Sequence, residues 1–108
     1  MIVVTVTRFL AGAFLANAVP HGAAALRRRE FPSPFATPPG VGLSSPRDNA
    51  AWSSTNLVVG TSLLLAVRRR PGSPAWAAAG ATLMGGFLGW WFAPARRAAR
   101  LAAVRLDR

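Results

Sequence analysis

The chain has 108 residues, of which 52% are hydrophobic and only 15% are charged, yet its net charge is +10. A soluble domain usually carries about a quarter charged residues, so the polar surface that would keep this chain in water is missing. The sequence has no cysteine, which excludes disulfides, thiolate metal sites and thiol nucleophiles.

All 13 basic residues are arginine, and the only acids are Glu30, Asp48 and Asp107. Such an excess of positive charge is typical of proteins that bind nucleic acid or an anionic membrane surface. The arginines lie almost entirely between and after the apolar segments, where charges flank membrane spans. Because no exposed basic surface with base-reading residues is evident, we expect the lipid bilayer, and not nucleic acid, to be the partner.

The first apolar stretch covers residues 1–26. A bilayer core about 30 Å thick requires roughly 20 helical residues. We place the first span at about 9–26, so that Arg8 becomes an ordinary flanking charge. A cleaved signal peptide is the alternative, because Ala16-Asn17-Ala18 has the form of a cleavage site. Seven uncharged residues precede Arg8, whereas a signal peptide opens with basic residues, and this favours an uncleaved span.

Residues 27–49 hold five of the nine prolines, a density that forbids a regular helix. Phe31 and Phe35 flank prolines in this loop and could fold it back over the helices. Asn49, or Asp48 beside it, is a suitable cap for the second span.

The second and third spans cover residues 51–67 and 75–94, and the third contains no charge. The turn between them is short, and Ser73-Pro74 is a typical helix start, so a tight helical hairpin is predicted. The basic tail, residues 95–108, is either a short helix on anionic headgroups or a flank that orients the protein.

The sequence therefore predicts an all-α membrane protein with a single membrane domain, residues 1–108, and three transmembrane helices. With the N-terminus outside, four loop and five tail arginines face the cytoplasm, and four lie outside. The positive-inside rule thus favours a multi-pass protein of the cell (inner or plasma) membrane with its C-terminus in the cytoplasm. The cluster Arg68–Arg70 violates the rule in this orientation.

Three polar side chains fall within the spans at helical spacing: Asn17 and His21 in the first, and Asn56 in the second. They could form a polar intramembrane site in which His21 is the group that titrates near neutral pH. Alternatively, they hydrogen-bond one another and fix the helix register, at roughly 0.6 kcal/mol per pair.

Small residues share one face of the third span, and they are Ala78, Ala81, Gly85 and Gly89. Small side chains let helix backbones approach closely, so this face is predicted to contact another helix. That helix belongs either to the same chain or to a partner, which would be a second copy or another membrane protein.

Three elements occur in order along the chain: NAVPHG at residues 17–22, FPSPFA at 31–36 and SSPRDNAAWSSTN at 44–56. In this the chain resembles a family of small uncharacterised bacterial membrane proteins, over roughly residues 9–63. Ser53 stands where that family pattern has a small glycine, and the loop carries extra prolines. The resemblance implies a membrane location and no established activity.

The function that these features favour is that of a structural or accessory membrane protein that works by helix packing. The alternative is a small oligomeric transporter or channel that uses Asn17, His21 and Asn56 as a polar pathway. With one histidine, no cysteine and three acids, all outside the spans, the residue types do not supply a catalytic set. We expect no enzymatic activity, no cofactor and no metal.

Reporter fusions would test the predicted topology. We expect fusions at Phe31 and at the C-terminus to report the cytoplasm, and a fusion at Gly72 to report the outside, because the side with nine arginines is favoured over the side with four. Equal signals at Phe31 and Gly72 would contradict the three-span arrangement.

Overall fold

A computed structural model of the chain describes residues 1–107, and most of them are helical. The four helices in this part of the chain are α1 (Ile2–Leu26), α2 (Pro46–Val67), α3 (Ala75–Trp91) and α4 (Ala93–Leu106). Two short strands, β1 (Phe31–Pro32) and β2 (Leu43–Ser44), pair antiparallel in the proline-rich loop. The predicted helical class is confirmed, and the strand pair is an addition that the sequence did not indicate.

Helix α1 lies at the centre of the bundle and packs against both α2 and α3, whereas α2 and α3 barely touch each other. Glycines bring the backbones of α1 and α3 close together. A Cβ atom on Gly12 would overlap the backbone of Ala77, and one on Gly80 would overlap the carbonyl of Phe9. The predicted tight hairpin of the last two helices is therefore not confirmed: a short turn joins α2 to α3, but each packs on α1.

Two helices are long and apolar enough to cross a membrane: α1 with 25 residues and α2 with 22. Helix α3 has 17 residues, which corresponds to about 26 Å at 1.5 Å per residue. It ends at Trp91, and Phe92 separates it from α4. The third span at 75–94 thus remains a prediction, because the helix is shorter than the apolar stretch.

Helix α3 uses a different face from the predicted one for its contact with α1. Its buried residues are Gly80 and Leu88. By contrast, a Cβ atom on Gly85 or Gly89 would meet nothing within 4 Å, and Ala78 is exposed while Ala81 is partly buried. The contact face is rotated from the predicted small-residue face by about one residue, or roughly 100° around the helix. The Ala78, Ala81, Gly85 and Gly89 face is left largely uncovered within the chain.

Arg8 is not an exposed flank, as the sequence suggested, but lies inside α1 and is only 8% exposed. Its guanidinium group donates hydrogen bonds to the carbonyl oxygens of Val67 (3.3 Å), Arg70 (2.7 Å) and Pro71 (3.4 Å). The last carbonyls of a helix have no partner within the helix and carry its negative dipole end. From the neighbouring helix, Arg8 therefore binds the last carbonyl of α2 and two carbonyls of the turn that follows it.

The proline-rich loop folds back over the other end of the bundle, as the two phenylalanines suggested. The ring of Phe31 lies 4.7 Å from that of Phe92, and the ring of Phe35 lies 5.4 Å from that of Trp52, centroid to centroid. The indole nitrogen of Trp91 donates to the carbonyl of Gly40 at 2.8 Å. The loop is thus attached to both α2 and α3.

The basic tail forms helix α4, which has no buried residue. The molecule is 56 Å long, whereas α1 spans about 38 Å at 1.5 Å per residue. Arg96 folds back on α3 and donates to the carbonyl of Gly89 at 2.7 Å. Near the C-terminus of both α2 and α3, a backbone carbonyl thus accepts a hydrogen bond from an arginine of another helix.

The glycine contacts give a stability prediction. We expect Gly80→Ala to lower the free energy of unfolding by about 1–3 kcal/mol, because the added methyl group forces α3 away from α1. Thermal unfolding in detergent, followed by circular dichroism, measures the effect. Gly86→Ala is the matched control, since a Cβ there has open space. Equal melting temperatures for the two variants would contradict the close contact.

Candidate functional site

The buried polar side chains of α1 and α2 form one layer between these helices, here called the polar junction. Its members are Asn17, His21, Asn49, Ser53 and Asn56. Four of them are buried, and Asn17 is partly buried. On α1 the two polar residues are four apart, and on α2 the spacings are four and three, so each set lies on one helix face.

The three residues that the sequence singled out do come together at this interface, but not as one cluster. Asn17 donates its amide to the side-chain oxygen of Asn56 at 3.0 Å. The amide of Asn56 in turn donates to the carbonyl of Trp52 at 2.8 Å. His21 lies one turn further along α1 and is bonded to a different asparagine.

His21 is paired with Asn49, which sequence reasoning had assigned to capping. The Nδ1 atom of His21 lies 2.7 Å from the Oδ1 atom of Asn49, and both residues are fully enclosed. The Asn49 amide nitrogen faces the carbonyl oxygens of Phe31, Ser44 and Ser45 at 3.0, 3.3 and 3.1 Å. Because these acceptors fix the amide orientation, Oδ1 accepts from His21 and the imidazole carries its proton on Nδ1.

Asn49 therefore ties the loop to the bundle instead of capping α2. The cap is Ser45, whose hydroxyl accepts from the backbone N–H of Asp48 at 3.0 Å. The signal for Asn49 was present in the sequence, since it shares a helical stripe with Ser53 and Asn56. Its position near the start of the span made capping the simpler interpretation.

Three aromatic rings enclose the imidazole of His21 with their planes nearly perpendicular to it. Phe31 and Phe92 have centroids 5.8 Å from the imidazole, and Trp52 lies at 6.4 Å. These rings come from the loop, from the end of α3 and from α2. The loop, α2 and the residue that follows α3 thus meet at the side chain of His21.

Ser53 adds a third link between α1 and α2. Its hydroxyl donates to the carbonyl of Ala18 at 2.8 Å, and a Cβ atom on Gly22 would be only 2.8 Å from the same hydroxyl oxygen. The family pattern has a glycine at position 53. Here Ser53 fits because the facing residue on α1 is Gly22, and the serine hydroxyl supplies a hydrogen bond.

The geometry gives the polar junction little capacity to bind a ligand. Two cavities, of about 380 and 340 Å³, are lined by other residues. Within residues 1–107 no group of three His, Cys, Asp or Glu side chains could hold a metal ion. In the same part of the chain, Trp52 Nε1 is the buried side-chain nitrogen that has no hydrogen-bond partner.

Comparison with models of protein families, with curated proteins and with solved structures finds no match to this chain. The resemblance to small bacterial membrane proteins therefore stays a prediction. Function has to be inferred from the residues and from their geometry.

A double-mutant cycle on His21 and Asn49 tests the polar junction. We expect His21→Ala and Asn49→Ala each to lower the free energy of unfolding by about 1–3 kcal/mol, because each leaves a buried polar partner unpaired. The loss should be larger for Asn49→Ala, which also releases three carbonyls.

The double variant should lose less than the two single losses combined, with a coupling of about 0.5–3 kcal/mol measured by unfolding in detergent. Ser54→Ala, on the exposed side of α2, is the control and should leave stability unchanged. Strict additivity would contradict a direct bond between the imidazole and the amide.

Proposed function

We propose that this chain is an integral protein of the cell membrane with three spans, and that it serves as a structural or accessory subunit through helix packing. The proposal rests on where the polar and the apolar side chains of the helices lie. The polar groups within the helices bond to each other, while the apolar side chains face outwards.

The outward apolar surface supports a membrane location. Only 33% of the apolar window of α1 and 22% of that of α2 is buried within the chain. The core helix of a soluble protein would be mostly covered. Large exposed side chains occur on all three long helices, among them Val6, Leu57, Leu65, Leu83 and Phe87. A continuous apolar surface of this kind requires lipid or a protein partner.

The central position of α1 supports an uncleaved first span. Cleavage after Ala18, which is 3% exposed, would remove most of the helix against which α2 and α3 pack. Arg8 would be lost with it, and so would its hydrogen bonds to the carbonyls of Val67 and Arg70.

The path of α3 supports a third span. It runs beside α1 from the contact of Gly80 with Phe9 to the contact of Phe92 with His21. Its length of about 26 Å is somewhat less than a bilayer core, a mismatch that local thinning accommodates at modest cost. Trp90 and Trp91 in its last turn suit the membrane interface.

The distribution of charge supports a cytoplasmic loop end. The arginines at positions 27–29, 47, 96 and 97 flank the helix ends that meet at the loop. The opposite end carries Arg8 and the Arg68–Arg70 run, and the Arg8 charge is already engaged by carbonyls. The Arg68–Arg70 run still conflicts with the positive-inside rule, but fewer arginines lie at this end than at the loop end.

The closed polar junction favours packing over transport or catalysis. Asn17, His21 and Asn56 are engaged with partners inside the chain, and the spans contain no acid to couple protons or cations. A transporter would need these groups to face a water-filled path. An enzyme would need a base and a nucleophile near a cavity.

Co-purification from native membranes tests the accessory role. We expect the tagged chain to resist alkaline carbonate and to elute in mild detergent as an oligomer or with a second membrane protein. Ala78→Trp, on the uncovered face of α3, should release that partner without changing the melting temperature, because Ala78 is exposed.

Leu57→Trp, on an exposed position of α2, is the control and should keep the partner. A strictly monomeric wild-type chain would contradict the accessory role, and a chain that washes off membranes in carbonate would contradict the membrane location itself.

A further inference from the structure

An apolar groove of about 340 Å³ runs along the outside of the bundle between α1 and α3, close to the loop end. Its walls include Ala16 and Val19 on α1 and Gly85, Leu88 and Gly89 on α3, and Arg96 of α4 lies at one end. Arg96 is the one charged residue that lines it.

The groove exists because two glycines on α3 have no side chains to fill it. A Cβ atom on Gly85 or Gly89 would meet no atom of the chain within 4 Å. Val19, which is 68% exposed, forms a raised edge on α1. An empty groove would forfeit dispersion contacts along its lining, so an apolar chain is the occupant that fits its walls.

The end of the groove favours an anion. Arg96 makes one hydrogen bond among the described residues, to the carbonyl of Gly89, and a guanidinium group has five donors. Arg100 lies on the same side of α4 as Arg96, about 40° away at 100° per residue. No acidic residue lines the groove. An anionic group with several oxygens therefore matches this end.

Resting on the proposed membrane location, we propose that the groove binds one anionic phospholipid. An acyl chain lies along Gly85 and Gly89, and the phosphate is held by Arg96 with support from Arg100. Trp90 and Trp91, at the end of α3, belong at the level of the lipid headgroups, so the arginine lies at the depth of the phosphate. Basic pockets beside transmembrane helices on the cytoplasmic side recognise such headgroups in this way.

This assignment gives the loop end of the small-residue face to a lipid and leaves Ala78 and Ala81 for a protein partner. A free phosphate would use the arginines but not the apolar walls. A second copy of the chain would use the glycines but would bring its own unpaired arginines into the same place.

Native mass spectrometry of the full chain, released from nanodiscs of phosphatidylglycerol and phosphatidylcholine, tests the proposal. We expect the wild-type chain to retain one phosphatidylglycerol. Gly85→Leu and Gly89→Leu should lower its retention about tenfold by filling the groove, whereas Gly86→Leu should not, although all three positions have open space. Arg96→Gln should lower the preference for phosphatidylglycerol by roughly tenfold, as the loss of a charge-assisted hydrogen bond would.

Arg105→Gln, with the same change in charge outside the groove, should keep that preference. Circular dichroism melts of each variant verify that the fold is kept. Equal retention in the Gly85→Leu and Gly86→Leu variants, equal retention of the two lipids by the wild type, or full displacement by inorganic phosphate would overturn the proposal. A loss of dimer in place of lipid in Gly85→Leu would overturn it as well. Failure of the membrane location is detected separately, by carbonate extraction before the lipid measurement.

Discussion

The structure depends on the contact that α1 makes on two sides at once. On one side, glycines bring it against α3 at backbone distance. On the other side, asparagine, histidine and serine side chains bond it to α2. Because α2 and α3 barely meet, the order of the bundle comes from the residues that α1 presents to each neighbour. Both pairs are closely packed at glycines, but only the α1–α2 pair adds directional hydrogen bonds within the described residues, so the two interfaces differ in what they specify.

The polar interface also accounts for the shape of the loop. Asn49 bonds to His21 through its oxygen and to three loop carbonyls through its nitrogen. One buried amide thus connects the end of α1, the start of α2 and both short strands. A loop rich in proline offers few backbone donors, so an external donor of this kind is needed to satisfy its carbonyls.

Residue pattern was enough to predict the helices, the irregular loop and the enclosure of Asn17, His21 and Asn56, since these follow from hydrophobicity and helical spacing. The residue pattern did not predict which of the polar side chains bond to each other. Whether Asn49 or Asn56 meets His21 depends on the relative height of α1 and α2, which no single-helix pattern contains. The face of α3 was misplaced because small residues occur on two of its sides, and only the position of Phe9 on α1 shows that Gly80 is the close one. Arg8 was misread because its acceptors lie 59 to 63 residues away in sequence.

That long separation has a consequence for biosynthesis. Arg8 is made well before Val67, Arg70 and Pro71, so the guanidinium group of the newly made α1 has none of these three acceptors at first. The charge must stay hydrated until the second helix has been translated and has turned back. Arg8 can therefore reach its complete set of acceptors only after residue 71 has been made.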